Sequence, residues 1–559
     1  MTRAALFLLT GCAMSDAPRA ARSLDPLDAP PSAGRLVVDL VDGTPLAEAQ
    51  ASLGLPLAWA TVTSADEALA VVEVPDLAAA EARIQGNPLV ELVETSRPMG
   101  MLGYPNDPLY DQQWNLRAIG APAGWRLGAG AGVRVAVIDT GIAAVPDLEG
   151  VAQAAGISVV PGVSDCADDQ GHGTHVAGTI AQATHNEVGV AGIAPRAELL
   201  AVKALDAYGR GTSEQVAAAI DAAVDAGADV LNLSLGGGHS GVVDLAVRRA
   251  QEAGVLVVAA AGNEGTEGVS CPAHAEGALA VSATGPDDAL APYSSWGAEI
   301  DLAAPGGDRT EGGGVVQDMP SSDAPEGHAF RGLQGTSMAS PHVAGAAAVL
   351  LGAGLSPEGA EDLLRRSALD LGAPGVDPHF GAGRIDLDRA ARIWLLQRGG
   401  WGAAAGLLLG GLVAALGRGK VGRLALFSAI VAGGLFFLPL LPLPPSPWVA
   451  ALSRPLLDLP GAFGGQDWAR LSLWRSGLGV LALTFVLGPT RSLGPWVGAL
   501  AAGVAARLWV DAWWGGVAVS FLPAALVPAW GALHGALAAF CALAVAGAQK
   551  MASKGASAR

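Results

Sequence analysis

Cysteine is scarce in this chain, with four among 559 residues, which excludes a disulfide-stapled scaffold. Cys12 lies near the start and Cys541 in a late apolar run, while Cys166 and Cys271 fall in the more polar middle. Those two can pair only in an oxidising compartment, with Cα atoms within about 7 Å of each other. Basic residues are also short, 33 Lys and Arg against 52 Asp and Glu. Residues 401–559 hold 11 Lys or Arg and 3 Asp or Glu, leaving 22 and 49 in the first 400, a net charge there of −27. So acidic a part excludes a nucleic-acid face, which needs clustered positive charge. After residue 400 the acidic residues nearly vanish, and what remains is apolar and mildly basic, the composition of a membrane domain.

A chain of 559 residues exceeds one small core, so several domains are expected. Residues 1–14, MTRAALFLLTGCAM, carry one Arg, a short apolar core and then Leu9-Thr10-Gly11-Cys12. This start resembles a bacterial lipoprotein signal, which implies export and raises Cys12 as a lipid-anchor site; an ordinary signal peptide is the alternative. Residues 15–34 are a Pro-, Ala- and Ser-rich linker. Residues 35–98 read as a small α+β domain: RLVVDLV, ALAVVEV and LVELVET as strands, PDLAAAEARIQ as a helix opened by its proline.

Residues 104–395 alternate apolar strand candidates (VRVAVIDTG, AELLAVKAL, ADVLNLSLG, GVLVVAAAG) with Ala-rich helical stretches such as SEQVAAAIDAAVDAG. That alternation predicts an α/β class with a mainly parallel sheet between helical layers. Sites in such sheets form at the carboxyl ends of strands, so polar residues there are the ones to inspect. Asp139 ends AVIDTG. GHGTHVAG places His172 and His175 three residues apart, and these residues alone leave open a shared metal or one working base. GTSMASPHVAG places Ser337 at a helix start. A serine hydroxyl needs a base to take its proton, and the base needs a carboxylate to fix its tautomer.

VAVIDTGI, GHGTHVAGTIA and GTSMASPHVAGAAA, in that order, resemble the three signature segments of the subtilisin-like serine proteases, the subtilases. GVAGIAP, AVKAL, VLNLSLGG, AAGNEG, YSSWG and DLAAPG extend the resemblance across residues 104–395. It implies a subtilisin-like three-layer fold with Asp139 as the orienting carboxylate, His172 as general base and Ser337 as nucleophile. His175, Ser340 and His342 become helix residues with packing roles. Asn263 is similar to the family's oxyanion-hole asparagine, and Ser234-Leu235-Gly236-Gly237 to its substrate-binding edge strand. The chemistry then needs no cofactor. Asp107, Asp147 and Asn186 resemble ligands of a structural calcium site in thermitase-like members. Residues 35–98 resemble the family's inhibitory propeptide, with processing expected between about Thr95 and Asn106.

Apolar runs at 401–416, 424–447, 476–489, 494–510 and 517–548 predict a helical membrane domain over 401–549, about five spans with six as the alternative. Residues 550–559 form a basic tail. Five spans put Arg418, Lys420 and Arg423, and then Lys550, Lys554 and Arg559, on the cytoplasmic side, as the positive-inside rule requires. The expectation is a multi-pass protein of a bacterial cell membrane with an extracytoplasmic endopeptidase domain. Its partners are protein or peptide substrates and membrane lipid, with no nucleic acid; oligomeric state is not legible. The rival from another class is a catalytically silent membrane receptor that binds peptides. A transporter is disfavoured by the sparse intramembrane charge.

Overall fold

The computed structural model describes residues 35–60, 64, 68–74, 77–95, 105–308, 313–417, 420–435, 438, 452, 456, 478–488, 490, 492–514 and 527–557. The signal-like segment with Cys12, the linker, most of the expected processing segment and the end of the basic tail lie outside the described residues. The chain divides into two compact units, Met1–Gly100 and Met101–Arg559.

In the first unit, β1 (Arg35–Leu40), α1 (Leu46–Leu53), β2 (Ala58–Trp59), β3 (Leu69–Glu73), α2 (Leu77–Ile84) and β4 (Val90–Thr95) follow one another. The four strands form an antiparallel sheet in the order β2-β3-β1-β4. Alternate residues of β1, namely Leu36, Val38 and Leu40, enter a core with Ala49, Leu53 and Ile84. Period-two burial on one face and helices on that face make this a β-α-β-β-α-β unit. Three strands and α2 match the sequence reading; α1 and the two-residue β2 are additions.

The second unit is built on β5 (Arg134–Asp139), β6 (Ile157–Ser158), β7 (Glu198–Lys203), β8 (Val230–Leu233), β9 (Leu256–Ala260), β10 (Ala278–Thr284) and β11 (Ile300–Pro305). Their order is β11-β10-β9-β8-β5-β7-β6, with every pairing parallel. From β5 the chain runs to β7 on one side and β8 on the other, which makes the end of β5 a topological switch point. Val135 and Val137 of β5 join one apolar cluster, Ala136 and Ile138 the other. Both faces are therefore dry, and the strand needs an unbroken apolar run rather than alternation.

Helices α3 (Trp114–Ala118), α4 (Ala121–Leu127) and α5 (His172–Ala181) precede α6 (Ser213–Asp225) and α7 (Gly241–Glu252). Then come α8 (Thr336–Gly352), α9 (Pro357–Ser367) and α10 (Leu387–Trp394). Residues of α6 and α7 line one cluster, those of α4, α5, α8, α9 and α10 the other, giving the three layers. An antiparallel hairpin, β12 (Val315–Pro320) with β13 (His328–Leu333), stands apart from the main sheet. Cys166 packs against one cluster and Cys271 lies in the other, on opposite faces of the sheet, and both are free thiols. The Cys166–Cys271 pairing left open by the sequence is thereby excluded.

Beyond α10, a π-helical turn (Leu395–Gly400) continues directly into α11 (Trp401–Leu416), followed by α12 (Val421–Gly433). Further helices cover Leu478–Leu487, Gly494–Trp514 and Val527–Ser557. Among the described residues, two helices are long and apolar enough to cross a membrane, Leu387–Leu416 and Ala529–Met551. Gly402, Gly406 and Gly410 form a stripe on α11, and a Cβ at these positions would meet Ala432 O at 2.6 Å, Ser428 O at 2.6 Å and Ser428 Cβ at 2.4 Å. This is the small-residue packing by which apolar helices approach without a hydrophobic driving force. Leu408, Phe485 and Phe540 point outward and are 75%, 76% and 67% exposed. Such apolar exposure suits a lipid surround.

Candidate active site

Asp139 is the last residue of β5 and is fully buried. His172 opens α5, and its Nδ1 lies 2.8 Å from Asp139 Oδ1 and 3.0 Å from Oδ2. The approach is close because Gly173 has no side chain: a Cβ there would meet Gly141 O at 2.2 Å. Its N–H instead donates to Thr140 Oγ1 at 2.9 Å. Burial alone would lower the His172 pKa, but the charge and hydrogen bond of Asp139, with Asp168 beyond, hold it above the ordinary value. An imidazole so placed carries its proton on Nδ1 and leaves Nε2 as a base.

Asp168 was not singled out in the sequence, yet it builds the entry to α5. It accepts from the amides of Gly171 (2.8 Å) and Thr174 (2.9 Å) and from the Thr174 hydroxyl (2.6 Å). These are orphan donors of a helix start, and a carboxylate there also complements the helix dipole. The available signal was the acid three residues ahead of GHGT.

His175 belongs to another part of the structure. It is fully buried, with Nε2 2.9 Å from the Val315 carbonyl and 3.1 Å from that of Arg331. Burial lowers its pKa to about 4, so it stays neutral and donates Nε2–H to the hairpin. His342 is likewise buried, with Nδ1 on Met338 O at 2.7 Å and Nε2 beside Asn115 Nδ2 at 2.8 Å. A metal shared by His172 and His175 is ruled out by these divergent partners.

Ser337 is the second residue of α8, whose flanks are almost wholly buried small residues. Its hydroxyl donates to the Ser234 carbonyl at 3.2 Å rather than to His172. Ser234 in turn donates its hydroxyl to the Ser337 carbonyl at 2.8 Å and meets Ser340 Oγ at 2.9 Å. Asn263 follows β9; its Oδ1 accepts from the Thr336 amide (2.8 Å) and the Thr336 hydroxyl (3.0 Å). That orientation assigns the amide oxygen to Thr336 and leaves Nδ2–H₂ as a donor beside the α8 N-terminus.

Ser234–Gly237 continue past β8. β8 itself is interior, between β5 and β9, whereas the expected substrate-binding segment begins just after it. The chain leaves the sheet at its carboxyl end, and only Gly237 pairs again, with Cys271 at 3.0 and 3.1 Å. Leu235 and Gly236 make no backbone–backbone hydrogen bond among the described residues. Free peptide groups at a sheet's end can accept an added extended strand.

Asp107, Asp147 and Asn186 do converge. Asp107 accepts from the amides of His185 (3.0 Å) and Asn186 (3.4 Å). Asp147 accepts from Asn186 Nδ2 and from the Val190 amide, each at 2.8 Å. Burial raises the Asp107 pKa and takes that of Asp147 to about 7, with the charges of Asp107 and Asp318 adding to the latter. Buried carboxylates crowded on one loop are an oxygen-rich donor set, the kind a hard divalent cation neutralises.

At the junction with the apolar helices, fully buried Arg507 pairs with Asp511 at 3.0 Å, and Arg398 Nε reaches the same Asp511 oxygen at 3.3 Å. Arg398 also donates to the carbonyl of Ala353, the residue that caps α8, at 3.3 Å.

Residues 130–383 match the subtilase family. Subtilisin BL of Lederbergia lenta is 42% identical over 283 residues, covering 50% of this chain and 98% of that protein. Thermitase of Thermoactinomyces vulgaris is 38% identical over 292 residues, covering 52% and 99%. A solved protease from Pseudoalteromonas arctica is 32% identical, covers 52% of this chain and 99% of its own, and superposes with a TM-score of 0.48.

Proposed function

The chain belongs to the subtilase family of serine peptidases, and from that premise we propose that Asp139, His172 and Ser337 are the catalytic triad of a membrane-anchored extracytoplasmic endopeptidase. The observation that carries the reading is the paired contact of His172 Nδ1 with Asp139, 2.8 and 3.0 Å, at the switch point of the sheet. When the Ser337 hydroxyl turns from Ser234 to His172, Nε2 takes its proton as Oγ attacks the peptide carbonyl. Apo hydroxyls commonly sit off their catalytic partner, so the observed rotamer does not oppose this step. Asn263 Nδ2 and the Ser337 amide hold the oxyanion. Collapse expels the amine with the proton from His172 and leaves an acyl ester on Ser337. Water, deprotonated by the same imidazole, releases the acid product.

In this reading the peptide lies along Leu235–Gly237 as an added strand. Residues 35–98 act as an inhibitory propeptide and folding aid, removed by a cut between about residues 95 and 107. The helices after residue 401 anchor the enzyme in the membrane; a lipid on Cys12 tethers only the uncut chain, because the cut separates Cys12 from the enzyme. The oxygen set of Asp107, Asp147 and Asn186 fits a structural calcium ion; Asn186 must turn its amide so that Oδ1 joins the carboxylates. Calcium would there neutralise buried negative charge and fix the loop, taking no part in the chemistry.

A second reading, a silent peptide receptor, draws on one observation: Ser337 gives its hydroxyl to Ser234 instead of His172. One experiment separates the two. The full chain and its Ser337→Ala variant are expressed in membranes, their N-termini mapped by mass spectrometry, and both treated with a fluorophosphonate probe. A new terminus and probe labelling, both absent in the variant, are expected. Uncut, unlabelled wild-type chain sinks the peptidase reading.

A further inference from the structure

Away from the triad, His239, Asp244 and His274 bring three ligand-type side chains together, with their ligand atoms all within 4.8 Å of one another. His239 Nδ1 lies 2.8 Å from His274 Nε2, and Asp244 oxygens lie 3.5 Å from each of those nitrogens. The two rings meet edge to face, centroids 5.0 Å apart. Two imidazole nitrogens turned toward each other and toward one carboxylate need a shared proton or a cation between them. We infer that this triangle is a binding site for a divalent d-block cation of the zinc class.

The geometry is near what such an ion requires. Nitrogen and oxygen ligands held about 2.0–2.1 Å from tetrahedral zinc sit roughly 3.4 Å apart. Each imidazole nitrogen already lies 3.5 Å from one of the two Asp244 oxygens, Oδ2 for His239 and Oδ1 for His274, and the nitrogen pair needs to open by about 0.6 Å. His239 can supply this movement, because its side chain is 73% exposed, while Asp244 and His274 are held at 21% and 24%. Two imidazoles and a carboxylate favour zinc, copper or nickel over calcium and magnesium, which prefer oxygen alone. The fourth position stays open to water.

The ligands stand on firm backbone. Asp244 is in the first turn of α7, His239 directly precedes its cap Ser240, and His274 follows Cys271 and anchors its amide on Ser270 O at 3.2 Å. The Gly237–Cys271 pairing ties these two loops together. A bound ion therefore staples the segment after Gly237 to the segment after Cys271, beside the proposed peptide strand. This consequence, that zinc alters peptide binding, rests on the peptidase reading; the binding of zinc does not.

The test uses the full chain in detergent, in the Ser337→Ala background to keep it uncut, with calcium in excess. Zinc is titrated against a chromophoric chelator, and cobalt(II) is added to a parallel sample. One zinc per chain is expected, with the visible absorption of tetrahedral cobalt. His239→Gln and His274→Gln should each weaken zinc by more than the roughly 10- to 100-fold that losing an outer-sphere partner costs, and abolish the cobalt spectrum. Zinc binding unchanged in both variants, or lost only in His172→Gln, overturns the proposal. In the active chain, zinc should change KM for peptide, and His239→Gln should remove that change. A chain that binds zinc here yet hydrolyses nothing leaves the metal site standing and defeats the peptidase reading alone.

Discussion

Thr336 brings both its backbone N–H and its hydroxyl to Asn263 Oδ1, at 2.8 and 3.0 Å, the hydroxyl also lying 3.2 Å from the Gly262 carbonyl. The residue before the proposed nucleophile thus sets which end of the asparagine amide faces the peptide. Removing the hydroxyl with Thr336→Val loosens that orientation without removing the donor. The expected loss is roughly 2- to 12-fold in kcat, the worth of one ordinary hydrogen bond, with KM little changed. Asn263→Ala removes the donor itself and should cost about 10²–10³ in kcat. Steady-state hydrolysis of a chromogenic peptide measures both. Equal effects from the two variants would show that Thr336 and Asn263 are not related in this way.

Asp168 should leave a mark on the pH profile. With His172 as the proposed general base, activity needs its neutral form and so rises with pH through a pKa that the charges of Asp139 and Asp168 hold up. Asp168→Asn removes one of those charges and should move the acidic limb of kcat/KM to lower pH. It should also cost about 1 kcal/mol of stability through the weakened helix cap. A limb that moves alkaline, or stays put, contradicts the arrangement.

Asp147 makes stability depend on pH and calcium together. Its folded pKa of about 7 lies above the ordinary value of 3.8. A raised acid penalises the folded state once the unfolded group ionises, so calcium-free protein should lose stability as pH rises from about 4 to 7. The full penalty, on the order of 4 kcal/mol, is present above pH 7. Calcium should restore that stability, and Asp147→Asn should remove both the pH slope and the calcium response. Thermal melts of the uncut Ser337→Ala chain, with and without calcium, give the answer.

The glycine stripe on α11 predicts a defect confined to the helical part. In Gly406→Leu the new Cβ alone falls 2.6 Å from Ser428 O, so α11 and α12 must separate. Overpacking of this kind costs about 1–3 kcal/mol. The variant should melt earlier in detergent and lose protease resistance in α12, while any chain that remains folded labels normally with the fluorophosphonate. Unchanged melting would refute the contact.

The β5, β7, β8 and β9 strands were legible because each is an apolar run buried on both faces and closed by a turn residue. The Asp139–His172 pair was legible through motif order, since spacing by itself left two histidines competing. What separated them is tertiary: His175 ends on the β12–β13 hairpin, more than a hundred residues away in sequence. Asp168 escaped notice because a capping acid looks like any other loop aspartate until the helix start is in place. The Ser234–Gly237 segment lies beside Ser337, while the place of the preceding β8 inside the sheet is set by crossovers that no local pattern reveals. His239, Asp244 and His274 carry no motif at all; they meet only because Gly237 and Cys271 pair.

One connection has a bearing on which substrates can be reached. Leu387–Leu416 is a single helix of 30 residues, part of the catalytic domain at one end and of the apolar bundle at the other. At 1.5 Å per residue it is about 45 Å long, and Arg398 fastens its middle to Ala353 and Asp511. A flexible tether would let the cleft sweep a volume; if the helices after residue 401 span a membrane, as proposed, a stalk braced in this way holds the cleft at one height above the bilayer. Selection among membrane-proximal proteins would then be made by the altitude of the cleavable loop as much as by its sequence.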